Sequence, residues 1–267
     1  MVVWMNINLI KNIKNFFKKK KSYIRFYSVY PGVKDLFPPV KALSIVRSFT
    51  KNVPPPGVSP VSKCPGIRKV ANTGWIITAP ADFKIKTNGD GASFEWAEPM
   101  QFGKGLPNTE SYVASHDKSQ TMPILDDPDD TLHTTIKIET PWRIEASDDM
   151  MLLQLPVTYN NESRFTAAHG ILDPTQSHVI NVQLFWKLLD GETLVRAGTP
   201  LAQYIPVKRQ DLLYSSYDAI IDESTETDHR REAAYNYAAN CVILEDDHLG
   251  SRLQRSSKIL NKYKHKG

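Results

Sequence analysis

Turn-forming residues cut the stretch 74–206 into eight short pieces that either alternate apolar with polar side chains or form a brief apolar run: 75–78, 83–87, 92–96, 134–139, 142–146, 151–156, 179–188 and 201–206. Side chains of a strand point alternately to its two faces, so pieces of this length and spacing predict a mainly β domain of sandwich, jelly-roll or barrel type. Asn88-Gly89-Asp90-Gly91 separates two of the pieces. Asn and Gly tolerate the positive φ of a tight hairpin, and the sequence predicts one there. Asp190-Gly191-Glu192 repeats the signal.

The flanks differ in kind from this centre, and the chain divides into 1–69, a β domain at 70–208, and 209–267. Ile7, Ile10, Ile13 and Phe17 recur at helical spacing with Lys11, Lys14, Lys18, Lys19, Lys20 and Lys21 between and after them, which predicts a basic amphipathic helix. The aromatic, alternating run 22–30 reads as a strand stopped by Pro31-Gly32. Seven prolines between Pro38 and Pro65 then demand an extended, irregular connection over the domain surface, apart from a helical piece at 40–51. After Arg209 the chain is rich in charge, Tyr and Ala, and 249–263 again has helical spacing with a basic face carrying Arg252, Arg255, Lys258 and Lys262. A helical C-terminal extension is expected.

Charge follows the same division. Residues 1–25 hold seven Lys/Arg and no acid, and 252–267 hold six and no acid, leaving 20 basic against 29 acidic residues in between. An acidic body is not expected to bind nucleic acid by itself. The basic ends suit nucleic acid, an acidic partner surface or a second copy, with the cited lysines and arginines as the contact residues. No apolar run approaches the roughly 20 residues needed to span a bilayer, and lysines interrupt the apolar N-terminal stretch, so neither membrane insertion nor export is expected. Cys64 and Cys241 lie far apart in unrelated sequence, which suggests neither a disulfide framework nor a metal cluster.

Catalytic signatures are missing. No GxGxxG, P-loop, HExxH, GxSxG or CxxC pattern occurs. His116 is followed directly by Asp117, and no histidine has the His-x-acid spacing of an iron facial triad. The acidic run 123–130 lacks the Gly and the closing Glu of an EF-hand and reads as an exposed loop. Neither a metal nor a cofactor is expected, and the weight falls against an enzyme.

One stretch is more specific. His169-Gly170-Ile171-Leu172-Asp173 precedes the strand 179–186, and Arg196-Ala197-Gly198-Thr199-Pro200-Leu201-Ala202-Gln203-Tyr204-Ile205 follows it. This order resembles the dUTPase and dCTP-deaminase superfamily over about 40 residues. The resemblance implies a β-rich jelly roll that commonly trimerises, with Asp173 in the place of the water-activating carboxylate and His169 and Gln203 as further candidates. Burial would have to lift the Asp173 pKa toward neutrality for that role. The family's Arg-Ser-Gly phosphate turn is replaced by 155–163 (LPVTYNNES), and its Gly-rich final arm does not appear. Asp173 also reads simply as a turn residue before Pro174.

A wider set of motifs spans most of the chain: YxxxPGVKDLFPPVKA from Tyr27, KCPGI from Lys63, TGWIITAPADFKI from Thr73, TPWRI from Thr140, HGILD and AGTPLAQYIP. Together they look like a family of uncharacterised proteins of tailed bacteriophages. That resemblance implies a virion component, such as a capsid decoration or head-to-tail protein, made in the host cytoplasm and touching other virion proteins or copies of itself. TGWII and TPWRI read as core strands beginning with a buried Trp. Three functions follow: a non-enzymatic assembly component, a diverged dUTPase-like enzyme, or a surface-binding module using Trp96, Tyr112, Tyr159 and Trp186.

Overall fold

A computed structural model describes residues 22–30, 33–51, 54–56, 58, 60–99, 111–212 and 217–240, with side chains to 236. The basic segments around Lys11 to Lys21 and Arg252 to Lys262 lie outside the described residues, as does Cys241. What is described is mainly β, in three antiparallel sheets.

The first sheet has β7 (Thr135–Ala146) as its spine. On one side of β7 lie β6 (Val113–His116) and β1 (Ile24–Ser28), end to end; on the other lies β11 (Val179–Trp186), followed by β9 (Phe165–Ala167). The second sheet runs in the order β10 (Gly170–Leu172), β8 (Met150–Pro156), β13 (Pro200–Lys208), β3 (Trp75–Thr78), β2 (Val40–Lys41). The third is β12 (Asp190–Val195), β4 (Phe83–Asn88), β5 (Phe94–Ala97).

One core joins all three. Ile136, Ile138, Ile180, Val182, Leu184 and Trp186 of the first sheet pack with Ile77, Leu152, Ala202 and Tyr204 of the second and Phe83, Ile85 and Val195 of the third. Phe165 stacks on Trp186 at 5.8 Å and 15°, and the indole N–H of Trp186 donates to the Leu188 carbonyl at 3.0 Å, so the largest core side chain carries no unpaired donor.

The pieces 134–139 and 142–146, separate in the sequence pattern, form one strand, and β7 runs through Pro141 between them. The register against β11 shifts between Val179 and Asn181, and Pro141 sits in that bulge, where a missing N–H costs no ladder bond. Thr140 Oγ1 donates to the Ile180 carbonyl at 2.6 Å and the Ile144 N–H to the His178 carbonyl at 2.8 Å, which ties the bulge down on both sides. Trp142 is buried as expected, whereas Trp75 is half-buried and meets Phe26 edge-on at 5.4 Å.

The predicted hairpin at Asn88 to Gly91 forms between β4 and β5, with Asp90 accepting from the backbone of Ala92 and Ser93. Asp190-Gly191-Glu192 does not turn a hairpin. These residues open β12, which leaves the first sheet behind and pairs with β4. The segment 40–51 contains no α-helix: Val40 and Lys41 pair with β3, and only 3-10 turns follow at Ala42–Ser44 and Ser48–Thr50. Conversely, Pro65 starts the helix Pro65–Asn72, a first-turn position in which its fixed φ suits a helix and its lacking N–H is not missed. A further helix, Glu226–Asn240, follows a stretch without regular secondary structure at 217–225. Strands β1 and β2 are therefore integral to the sheets although they come from the N-terminal flank.

Gly74 makes the corner between the helix Pro65–Asn72 and β3. Its φ is +81°, and a Cβ there would lie 2.0 Å from the Tyr204 carbonyl oxygen. Only glycine fits so close a crossing.

Candidate functional site

The described residues enclose a cleft of about 240 Å³ where β9, leaving the first sheet, crosses over to β10 in the second. Gln154 of β8, Tyr204 of β13, His169 just before β10, Gly170 at its start, and Asn181 and Gln183 of β11 line it. Along β11, Asn181 and Gln183 alternate with the core residues Val182 and Leu184, so strand periodicity itself brings amides to the cleft.

Gln154 is buried but satisfied. Its Nε2 donates to the Ala168 carbonyl at 2.8 Å, and its Oε1 accepts the Tyr204 hydroxyl. Burial pushes the Tyr204 phenol up, so it stays protonated as a donor. Asn181 Oδ1 is different: it is buried with no hydrogen-bond partner. A buried carbonyl oxygen left so costs about 1–3 kcal/mol, which a donor entering the cleft would recover.

Asp173 begins the turn after β10 but does not line the cleft. Arg209 grips it from both sides, Nη1 to Oδ2 and Nη2 to Oδ1, each at 2.6 Å. Thr175 adds its N–H at 3.0 Å and its hydroxyl at 2.7 Å to Oδ1. The Arg209 hydrogen bonds, helped by Thr175, hold the carboxyl well below the usual carboxylate range despite its burial. A general base needs the opposite shift. Arg209 Nε also donates to the Asp148 carbonyl at 2.9 Å, so the pair staples the 173–177 turn to the end of the second sheet.

The three candidates of the dUTPase-like reading are thus dispersed. His169 is exposed at the cleft, Asp173 is locked in its turn, and Gln203 is fully buried away from both. Gln203 Nε2 donates to the carbonyls of Val70 and Thr73, at 2.7 and 2.8 Å, and pins the helix Pro65–Asn72 to β13. In 155–163, where a phosphate turn was sought, Glu162 pairs with Arg164 through two hydrogen bonds of 2.8 and 2.7 Å, which neutralises the nearby guanidinium.

Of the aromatics considered for surface binding, Trp186 and Tyr112 are core residues, while Trp96 and Tyr159 are exposed. Asn181, Gln154 and Tyr204 were not singled out by sequence. Their signal was a polar residue interrupting an apolar strand, as in MLLQLP and VINVQLFW.

Among the described residues no group of three His, Cys, Asp or Glu is placed to hold a metal, and no helix is long and apolar enough to cross a membrane. No protein-family model matches the chain, and no curated protein matches it.

Proposed function

We propose that this chain is a non-enzymatic structural or interaction protein, an assembly component of a tailed-bacteriophage virion built on a jelly-roll-like β body. The observation that carries the reading is the state of Asp173: both carboxylate oxygens are committed to Arg209 and Thr175, so the one carboxylate with a motif behind it serves architecture. The acidic body with strongly basic ends supports the same reading, since such ends grip other virion proteins, copies of the chain or nucleic acid. Size-exclusion with light scattering tests it. The full chain is expected to self-associate with rising concentration, and to do so less without residues 1–21; the cut stops there because β1 belongs to a sheet. A monomer at every concentration, absent from purified particles by mass spectrometry, would overturn it.

A second reading rests on the unpartnered Asn181 Oδ1 in the cleft beside His169: a diverged dUTPase-like protein that binds or hydrolyses a nucleotide. It predicts a thermal shift with one member of a nucleoside triphosphate panel plus magnesium, weakened in Asn181→Ala, and pyrophosphate release lost in His169→Ala. Silence of the whole panel in both assays removes it.

A further inference from the structure

Two surfaces of the molecule are incomplete in complementary ways. Residues 36–81 contain no acid at all, while Lys41, Lys51, Lys63, Arg68 and Lys69 are exposed and make no ion pair among the described residues. The 3-10 turns Ala42–Ser44, Ser48–Thr50 and Val61–Lys63 pack with the helix Pro65–Asn72 into a small lobe outside β3. Its apolar side chains face outward, with Leu43 67% and Val46 68% exposed and Val58 and Val61 also exposed. Beneath them Arg47 is only 2% exposed. Its Nη2 donates to the Ala71 carbonyl at 3.0 Å, but Nε and Nη1 have no partner, so a buried positive charge stands without a counter-charge.

The other surface is the irregular stretch 217–225. Ile220 is 83% and Ile221 94% exposed, and Asp218, Asp222 and Glu223 flank them with no base and no ion pair among the described residues. Among the described residues, the side chains of the helix that follows, Glu226–Asn240, bond within the helix and to Ser224 and Thr225. Adjacent isoleucines between carboxylates suit a surface that is at once apolar and cationic. Among the described residues, no hydrogen bond or ion pair given by the structure joins the stretch to the lobe, and both carry exposed apolar side chains.

We infer that the acidic, isoleucine-bearing stretch 217–223 of one copy docks on the basic, apolar lobe 41–69 of a second copy. This rests on the assembly reading and names the surface it uses. The contact is head-to-tail, since lobe and stretch are different patches, so it propagates into rings or chains of copies unless the rotation closes at two.

Cys64 is exposed on the lobe and supplies the test. In a full chain carrying Cys241→Ser, Ile221→Cys is expected to form a disulfide between chains on mild oxidation, giving dimers and higher species on a non-reducing gel that vanish with Cys64→Ser. In parallel, Ile220→Asp with Ile221→Asp should lower the mass seen by light scattering at least twofold, with the circular dichroism unchanged because both side chains are exposed. Lys63→Glu with Lys69→Glu should do the same, and Asp218→Lys with Asp222→Lys should restore association to that variant. A disulfide formed only within a chain, or association untouched by the isoleucine changes, overturns this surface while leaving the assembly reading standing. A wild-type chain monomeric at all concentrations overturns both.

Discussion

The core between the sheets and the lobe at 41–72 are built from the same kinds of residue and end in opposite states. Between the sheets the largest core side chains have company: Trp186 is stacked on Phe165 and its N–H is bonded, and Gln203 and Gln154 each donate their amides to backbone carbonyls. In the lobe a guanidinium is buried with two nitrogens unpaired while leucine and valine face water. The first region's apolar core is packed within one chain, with Asn181 Oδ1 left unpaired at the cleft. The second is arranged for something beyond it.

On that contrast, the largest losses come from the core. Trp186→Ala should cost about 4 kcal/mol in urea unfolding, through lost burial and the cavity left against Phe165. A loss below half of that would mean that the core is as loose as the lobe. Gly74→Ala comes next, at about 3 kcal/mol, because the new Cβ meets the Tyr204 carbonyl and the positive φ is strained for alanine.

Asp173→Asn should cost about 2 kcal/mol near neutral pH, the loss of a charged, hydrogen-bonded partner of Arg209. Its sign with pH is fixed. The folded carboxyl is held below its unfolded value of about 3.9, so its stabilisation is full above that pH and fades as pH falls through the folded pKa. The wild-type and Asp173→Asn curves should therefore converge in acid; parallel curves would show that the Arg209 clamp is not the cause.

The smallest effect has the opposite sign. Burial pulls the Arg47 pKa down, and removing an unpaired buried charge should help, so Arg47→Met is expected to raise stability by about 1 kcal/mol by thermal melting. A destabilised variant would mean that Arg47 has a counter-charge after all, and the contrast between core and lobe would narrow.

Much of the fold was legible because period-two alternation reports directly on strands, and every piece from 75–78 to 201–206 overlaps one, although 92–96, 134–139 and 179–188 overrun their strands by one or two residues and 134–139 and 142–146 share β7. What was not legible depended on partners far along the chain. Thr140-Pro141 looks like a break until β11 supplies the bulge that accommodates it. Val40 has nothing strand-like about its neighbours, and pairs with Ile76 because the chain passes there. Short strands such as β9 and β10, three residues each, are too brief for a period to appear. The site was harder still. His169 and Asp173 are neighbours in sequence, yet one reaches the cleft and the other is turned into Arg209, a residue that no local pattern connects to either. Asn181 gave only the faint signal of an amide within an apolar strand.

Strand β1 has a consequence for how the molecule is made. Ile24 pairs with Ala146 and Ser28 with Trp142, so this strand, the first among the described residues, has no seat until the ribosome has delivered β7. Throughout that interval the aromatic edge Phe26 and Tyr27 travels unsheltered on a growing polypeptide, which is a window for capture by a chaperone or by a neighbouring nascent chain.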